Sequence, residues 1–209
     1  KKFIFDMGLT SPIEFDIEEV GIPVPFNWGK CKLATVSYGH GITTTVLQLA
    51  NAYSIIANGG YKIRPSLIKK NEYSKKRKIL SEKVSKEIIE ILRKIVTQKE
   101  GTASLANVEG YEVAGKTGTA QKSSIGGYSR KKINTFASIF PASKPKYSLV
   151  VMLDEPKTNS EYIYNFRDGS GVKYKGTPFN TAGWTSVEVA GKIIEKIGPI
   201  LATKYNEIN

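Results

Sequence analysis

Ala114-Gly115-Lys116-Thr117-Gly118-Thr119-Ala120-Gln121 closes an apolar run that begins at Tyr111. An ammonium group and two hydroxyls stand at the end of a predicted strand, with a glycine between the hydroxyls. Together they form a compact anion site. Lys116 supplies charge, Thr117 and Thr119 supply hydrogen bonds, and Gly118 lets a ligand approach the backbone. Lys-Thr-Gly recurs by chance in many chains, so its meaning depends on what surrounds it.

Downstream, Thr135 to Phe140, ended by Pro141, and Tyr147 to Asp154 are two more apolar runs of strand length. Short connections make an antiparallel arrangement the expectation. Lys122 to Asn134, rich in Gly, Ser, Lys and Arg, reads as a mobile loop beside Lys116, with Tyr128 as an exposed loop aromatic. After Glu155-Pro156 a long polar connection runs to Gly183. A last helix is predicted from Thr185, with Thr185-Ser186-Val187-Glu188 as a capping box. Its apolar stripe is Ala190, Ile193, Ile194 and Ile197, and Gly198-Pro199 ends it.

Upstream, a helix is predicted from about Thr43. Val46, Leu49, Ala50, Tyr53, Ile56 and Ala57 follow helical spacing, and Asn58-Gly59-Gly60 stops it. Tyr61 to Ile68 looks extended. Ser81 is a good N-cap for a second helix with Glu82 near its positive end. Val84, Ile88, Leu92, Ile95 and Val96 form its apolar face, and Gly101 lies beyond its end. Residues 1 to about 35 carry the turn residues Gly21, Pro23, Pro25 and Gly29 and read as an irregular connector.

The 209 residues suit one domain or a large part of one, and 40% hydrophobic with 24% charged residues is ordinary for a soluble globular protein. No apolar run approaches the roughly 18 residues that span a bilayer. Lys1-Lys2 precedes too short an apolar piece for a secretion signal, and the chain has no initiator Met. The expectation is an excerpt whose targeting information lies upstream. Cys31 is the only cysteine, so an internal disulfide is excluded; a small, at least partly buried residue is expected there.

A net charge of +12 raises the question of nucleic acid. Much of it lies in Lys69-Lys70 and Lys75-Lys76-Arg77-Lys78, which have no aromatic interleaving beyond Tyr73 and no nucleic-acid motif. A solvated loop is the expectation, and no nucleic-acid partner. The only histidine, His40, reads as a loop residue. Asp154-Glu155 and Glu18-Glu19 lack metal-ligand spacing and read as surface charge, so no metal is expected.

Several blocks now line up. Tyr38-Gly39-His40-Gly41-Ile42-Thr43-Thr44 leads through Leu47-Gln48-Leu49-Ala50-Asn51-Ala52-Tyr53 to Ala57-Asn58-Gly59-Gly60. Gly101-Thr102-Ala103, Val113 to Gln121 and Phe136-Ala137-Ser138-Ile139-Phe140-Pro141-Ala142 follow in order. This series resembles the C-terminal half of the transpeptidase domain of class B penicillin-binding proteins, the division-type enzymes most of all. The resemblance implies an α+β fold over residues 1–209: a partial penicillin-recognising, serine β-lactamase-like transpeptidase domain with an antiparallel sheet and helices on both faces. It implies acyl transfer in cell-wall synthesis and division. A serine attacks the D-Ala-D-Ala carbonyl, D-Ala leaves, and the acyl group passes to a stem-peptide amine, with no cofactor.

That family uses an S-x-x-K motif, an S-x-N motif and the K-T-G strand. Only the third is matched here. Ser66-Lys69, Ser129-Lys132, Ser143-Lys146 and Ser170-Lys173 fit the first spacing, but none opens an apolar helix, and no Ser-x-Asn occurs. The family's order places both upstream of Lys1. By resemblance, Lys116 is catalytic, supplying charge beside the substrate and organising the serine-lysine proton network. Thr117 and Thr119 bind the free carboxylate of the stem peptide or of a β-lactam. Gly118 keeps the strand open, and the Thr119 backbone N–H serves as an oxyanion-hole donor.

The implied partners are peptidoglycan stem peptides and β-lactams, with other cell-division membrane proteins reached through the N-terminal part. The implied location is the periplasmic face of the bacterial inner membrane, anchored by a helix outside this chain. Two alternatives stay open: a catalytically dead fragment of the same fold, and a serine β-lactamase or D,D-carboxypeptidase, against which the Gly39 to Gly60 block argues.

Overall fold

The computed structural model describes residues 1–18, 20–25, 27–29, 31–69, 77–125 and 127–206. The chain divides into two units, Lys1–Lys86 and Glu87–Asn209.

The first unit contains helices α1 (Lys2–Asp6), α2 (Lys32–Val36) and α3 (Val46–Ala57), then strands β1 (Tyr61–Lys62) and β2 (Arg77–Lys78). The connector predicted to be irregular thus carries a short helix near each end. α3 opens on a reciprocal cap: Thr45 Oγ1 accepts from Gln48 N, and Gln48 Oε1 accepts from Thr45 N at 2.8 Å. It stops at Asn58, after which Gly59 and Gly60 take positive φ. Its fully buried positions are Gln48, Asn51, Ala52 and Ile55, whereas Val46 of the predicted stripe is exposed. Gln48 can go inside because the cap and Ser11 O satisfy its amide. Burial pushes the nearby Tyr53 hydroxyl up to about 12.

Of the extended segment predicted over Tyr61 to Ile68, only Tyr61–Lys62 is a strand; it pairs antiparallel with Arg77–Lys78. Arg77 and Lys78 are thus not loop residues. Arg77 Nη2 donates to Asp6 Oδ1 at 2.7 Å, and Lys78 lies over the Tyr61 ring. Lys70, Tyr73, Lys75, Lys76 and Glu19 lie outside the described residues. Cys31 is exposed, contrary to expectation, because α2 buries Val36 alone.

α4 (Glu82–Thr97) starts as predicted, with Ser81 Oγ accepting from Val84 N. Its buried line is Ser85, Ile89, Leu92 and Val96. The predicted stripe had Val84, which is exposed, and missed Ile89. Ser85 is tolerated inside because its hydroxyl donates to Ile56 O.

The second unit holds a 3₁₀ turn (Ser104–Ala106) and the sheet strands β3 (Ala114–Ser124), β4 (Gly127–Phe140) and β5 (Tyr147–Asp154). The order is β3-β4-β5, antiparallel throughout, so β3 is an edge strand paired with β4 on its inner side, as expected. The predicted mobile loop over Lys122 to Asn134 is instead mostly hairpin: β3 runs to Ser124 and β4 starts at Gly127. The register slips between Gln121 and Ser123. Phe136 to Phe140 are all buried, so both faces of β4 are covered.

The predicted polar connection contains another hairpin, β6 (Ile163–Asn165) with β7 (Lys173–Lys175). Tyr164 anchors it: the ring is buried edge-on to Trp184, and its hydroxyl donates to Trp184 O at 2.6 Å. A second 3₁₀ turn (Ala182–Trp184) leads into α5 (Ser186–Asn206). The predicted stop at Gly198-Pro199 fails, for α5 runs through it. Proline forfeits one helical hydrogen bond, but tertiary contacts hold the last turns. The Tyr111 ring packs where a Cβ at Gly198 would sit, and the Tyr147 hydroxyl reaches Leu201 O. Val187, Ala190 and Ile194 of α5 join Val113, Phe136, Phe140 and Val151 in one core.

Candidate active site

β3 is aimed by what happens at its start. Arg93 Nη1 donates to Val113 O at 2.7 Å and to Asn107 Oδ1 at 3.0 Å. Burial holds the Arg93 pKa below its usual value. Glu112 adopts φ 46°, a region uncommon outside glycine. Its carboxylate accepts from Ser143 N at 2.9 Å. Hydrogen bonds from Ser143, with a smaller contribution from the Arg93 charge, keep the Glu112 carboxyl below its ordinary range. The Phe136 ring fills the place of a side chain at Gly115: a Cβ there would lie 2.5 Å from it. Gly115 therefore serves packing.

Gly118 differs. A Cβ there would meet nothing closer than Thr135 at 4.0 Å, and its φ is not in the positive region. Neither packing nor conformation in the described residues requires glycine, which fits a position kept free for a ligand.

Along β3, side chains alternate between the two faces. Thr117 and Thr119 stand opposite Phe136 and Asn134, on the α5 side; Lys116 stands opposite Ala137, on the other. Lys116 and Thr119 are exposed and Thr117 is half-buried. Lys116 Nζ curls back to donate to Thr117 O at 2.8 Å and lies 3.4 Å from Thr117 Oγ1. The ammonium thus meets the Thr117 hydroxyl at the strand edge, and Thr119 stands two residues along on the Thr117 face.

Each hydroxyl also has a partner behind it. Thr117 Oγ1 is 2.9 Å from Thr102 Oγ1, and Thr119 Oγ1 accepts from Ala182 N at 3.0 Å. The sequence offers Thr102 only as part of Gly101-Thr102-Ala103, and nothing in the sequence marks Ala182. Beneath Thr119, Asn134 Nδ2 donates to Thr185 Oγ1 and Asn180 O. The Thr185 hydroxyl itself donates to Thr181 O. Its partner in the predicted capping box, Glu188, accepts from Arg167 at 2.6 Å and from the Tyr162 hydroxyl at 2.9 Å.

The hairpin beyond the site is tied across the sheet. Lys122 Nζ reaches Asp154 at 2.6 Å and Glu155 at 2.8 Å, and Lys131 reaches Glu155 at 3.1 Å. Asp154 and Glu155 therefore pair with cations rather than standing as plain surface charge. Hydrogen bonds to these carboxylates raise the Lys122 pKa, and those from Lys122 and Lys131 lower that of Glu155. Tyr128 is exposed, in β4 rather than a loop. In the first unit, His40 is an exposed loop residue near the Tyr38 ring. None of the four Ser-x-x-Lys serines lies on a helix, and Ser66 is bound to Asp16.

An exposed edge strand carrying Lys-Thr-Gly-Thr, backed by two neighbouring strands and a helix, invites comparison with proteins of known kind. Residues 1–167 match the penicillin binding protein transpeptidase domain. The chain belongs to that family. A probable peptidoglycan D,D-transpeptidase FtsI from Caulobacter vibrioides is 33% identical over 97% of this chain and 34% of its own length. The peptidoglycan D,D-transpeptidase FtsI of Buchnera aphidicola subsp. Schizaphis graminum is 40% identical over 74% of this chain and 28% of its own.

Among solved structures, the apo transpeptidase domain of penicillin-binding protein 3 from Burkholderia pseudomallei superposes with a TM-score of 0.78 at 25% identity, over 95% of this chain and 56% of that one. Penicillin-binding protein 3 from Mycobacterium tuberculosis, solved with ampicillin, gives 0.74 at 25% identity over 94% and 45%. This transpeptidase-family chain spans about a third of the length of those curated relatives. The α+β penicillin-recognising fold expected from the sequence is borne out.

Proposed function

We propose that this chain is the C-terminal part of the transpeptidase domain of a peptidoglycan D,D-transpeptidase of the division type, and supplies its K-T-G strand. The single observation that carries the proposal is the exposed β3 edge strand, where the Lys116 ammonium lies 3.4 Å from the Thr117 hydroxyl and Thr119 follows two residues along on the Thr117 face. A carboxylate placed there meets one positive charge and two hydroxyl donors, which suits the free carboxylate of D-Ala-D-Ala or of a β-lactam. An extended stem peptide adds to the edge as a further strand. The Thr119 N–H then serves the oxyanion that forms as the acyl carbonyl is attacked.

The nucleophilic serine and the S-x-N residues come from upstream segments, and acyl transfer needs no cofactor from this part. The protein acts at the periplasmic face of the inner membrane, anchored by an upstream helix, where division proteins are its partners.

The test uses the chain completed with upstream transpeptidase segments. Thr119→Val removes a hydroxyl at nearly constant shape. Acylation by benzylpenicillin then falls about ten- to a hundredfold, the loss of one hydrogen bond to a charged group. Thr119→Ser keeps most of the rate. Residues 1–209 alone take up no labelled penicillin on serine. Unchanged acylation in the valine variant, or a serine-linked adduct on the short chain, sinks the proposal.

A further inference from the structure

We infer that Thr102 is a positioning residue that turns the Thr117 O–H outward, toward a carboxylate at the β3 edge. The inference rests on the function proposed above.

Thr102 combines a fixed backbone with an exposed side chain. It stands between Gly101, where a Cβ would lie 2.1 Å from Ile95 O, and Ala103, which is fully buried. Gly183 presses from the other side, since a Cβ there would lie 2.8 Å from Thr102 O. The backbone has little room to move, and it presents one hydroxyl, 2.9 Å from Thr117 Oγ1. A hydroxyl this exposed can be satisfied by water and adds little to folding.

Proton accounting sets the direction. Either hydroxyl of the pair can donate. The Lys116 ammonium can only donate, and it stands 3.4 Å from Thr117 Oγ1. When Thr102 also donates, the Thr117 oxygen accepts from two sides and its own proton points to the open edge. A carboxylate there accepts that proton and selects this arrangement over the reverse. Charge and polarised donors reinforce one another in such a chain.

The experiment is a double-mutant cycle in the completed protein, reading the second-order rate of benzylpenicillin acylation beside the thermal midpoint. Thr102→Val lowers the rate about five- to thirtyfold and leaves the midpoint unchanged; Thr102→Ser restores it. In a Thr117→Val background the Thr102→Val effect largely vanishes, because Thr102 acts through Thr117. A Thr102→Val rate within twofold of the parent, alongside an impaired Thr117→Val, overturns the inference. So does an equal effect in both backgrounds, or a rate loss that tracks a lowered midpoint. If Thr117→Val itself acylates normally, the carboxylate role of Thr117 is what fails, and the inference falls with it.

Discussion

Among the described residues the second unit builds a large apolar core and the first a small one, although both leave large apolar side chains in water. Phe136, Val113, Val187 and Ile194 are fully buried in a core that joins β4, β5 and α5 to the residue that leads into β3. In the first unit the buried cluster among the described residues is Met7, Ala52 and Ile55. Ile22, Leu67 and Tyr38 there are 74%, 71% and 73% exposed. Each large apolar side chain left in water forgoes roughly 1.5 to 3 kcal/mol. Against a net domain stability of about 5 to 15 kcal/mol, the larger buried cluster is what separates the second unit from the first. The K-T-G strand belongs to the better-packed unit, so its geometry rests on a core that its own sequence supplies.

The strongest way to break this contrast is to remove one side chain from each unit. Phe136→Ala is expected to cost about 3 to 5 kcal/mol in urea denaturation followed by hydrogen exchange in β4, while Leu67→Ala stays within about 0.5 kcal/mol. Similar losses at the two sites would show that burial is not what separates them. A subtler comparison lies within β3. Gly115→Ala drives a methyl into the Phe136 ring and costs about 1 to 3 kcal/mol. Gly118→Ala leaves the denaturation midpoint in place and slows penicillin acylation of the completed protein. Loss of stability at Gly118 would assign that glycine to the fold rather than to the ligand.

The smallest effect concerns the charges that tie the hairpin to β5. Folded Glu155 titrates below its ordinary value of 4.5. Its contribution is therefore complete above that value and is lost as pH falls through the folded pKa. Lys122 is raised above 10.5, so its contribution is complete below that value and lost as pH rises through the folded pKa. Exchange-corrected amide protection in residues 122–132 should weaken on the acid side while Phe136 stays protected. In Glu155→Gln this acid-side change should shrink. Hairpin protection that ignores pH would remove the clamp from the account.

Much of the sheet was legible because β4 and β5 are apolar runs with clear punctuation at Pro141 and Pro156. The hairpin beyond Gln121 was not, since a strand pair exposed on both sides shows no alternation and its Lys, Ser and Gly residues resemble a loop. β6 and β7 were hidden for a related reason: three residues each, with Tyr164 the only buried member. Polar residues inside α3 and α4 defeated the equation of apolar with buried, because the Ser85 hydroxyl and the Gln48 amide N–H find partners far along the chain, at Ile56 O and Ser11 O. Pro199 looked like a stop because the Tyr111 and Tyr147 contacts that hold the helix past it come from distant residues. At the site, Lys116, Thr117, Gly118 and Thr119 could be picked out by chemistry. Their supports, Thr102 and Ala182, carry no local signature and come from 15 and 63 residues away.

Arg167 is the last residue of the family match, and its partner Glu188 lies beyond it. Burial lowers the Arg167 pKa, but the hydrogen bond and charge of Glu188, with Glu195, more than offset this, and the net shift is upward. The two side chains are 9% and 5% exposed, so loss of either leaves the other a buried charge with weaker support, from Glu195 for Arg167 and from Lys192 for Glu188. A lineage that trims the connection before α5 leaves the buried Glu188 with Lys192, at 3.7 Å on the same helix, in place of its closer Arg167 partner. The two positions are expected to drift as a pair, and a graft of this connection into another member of the family needs both sides of the join to be carried across.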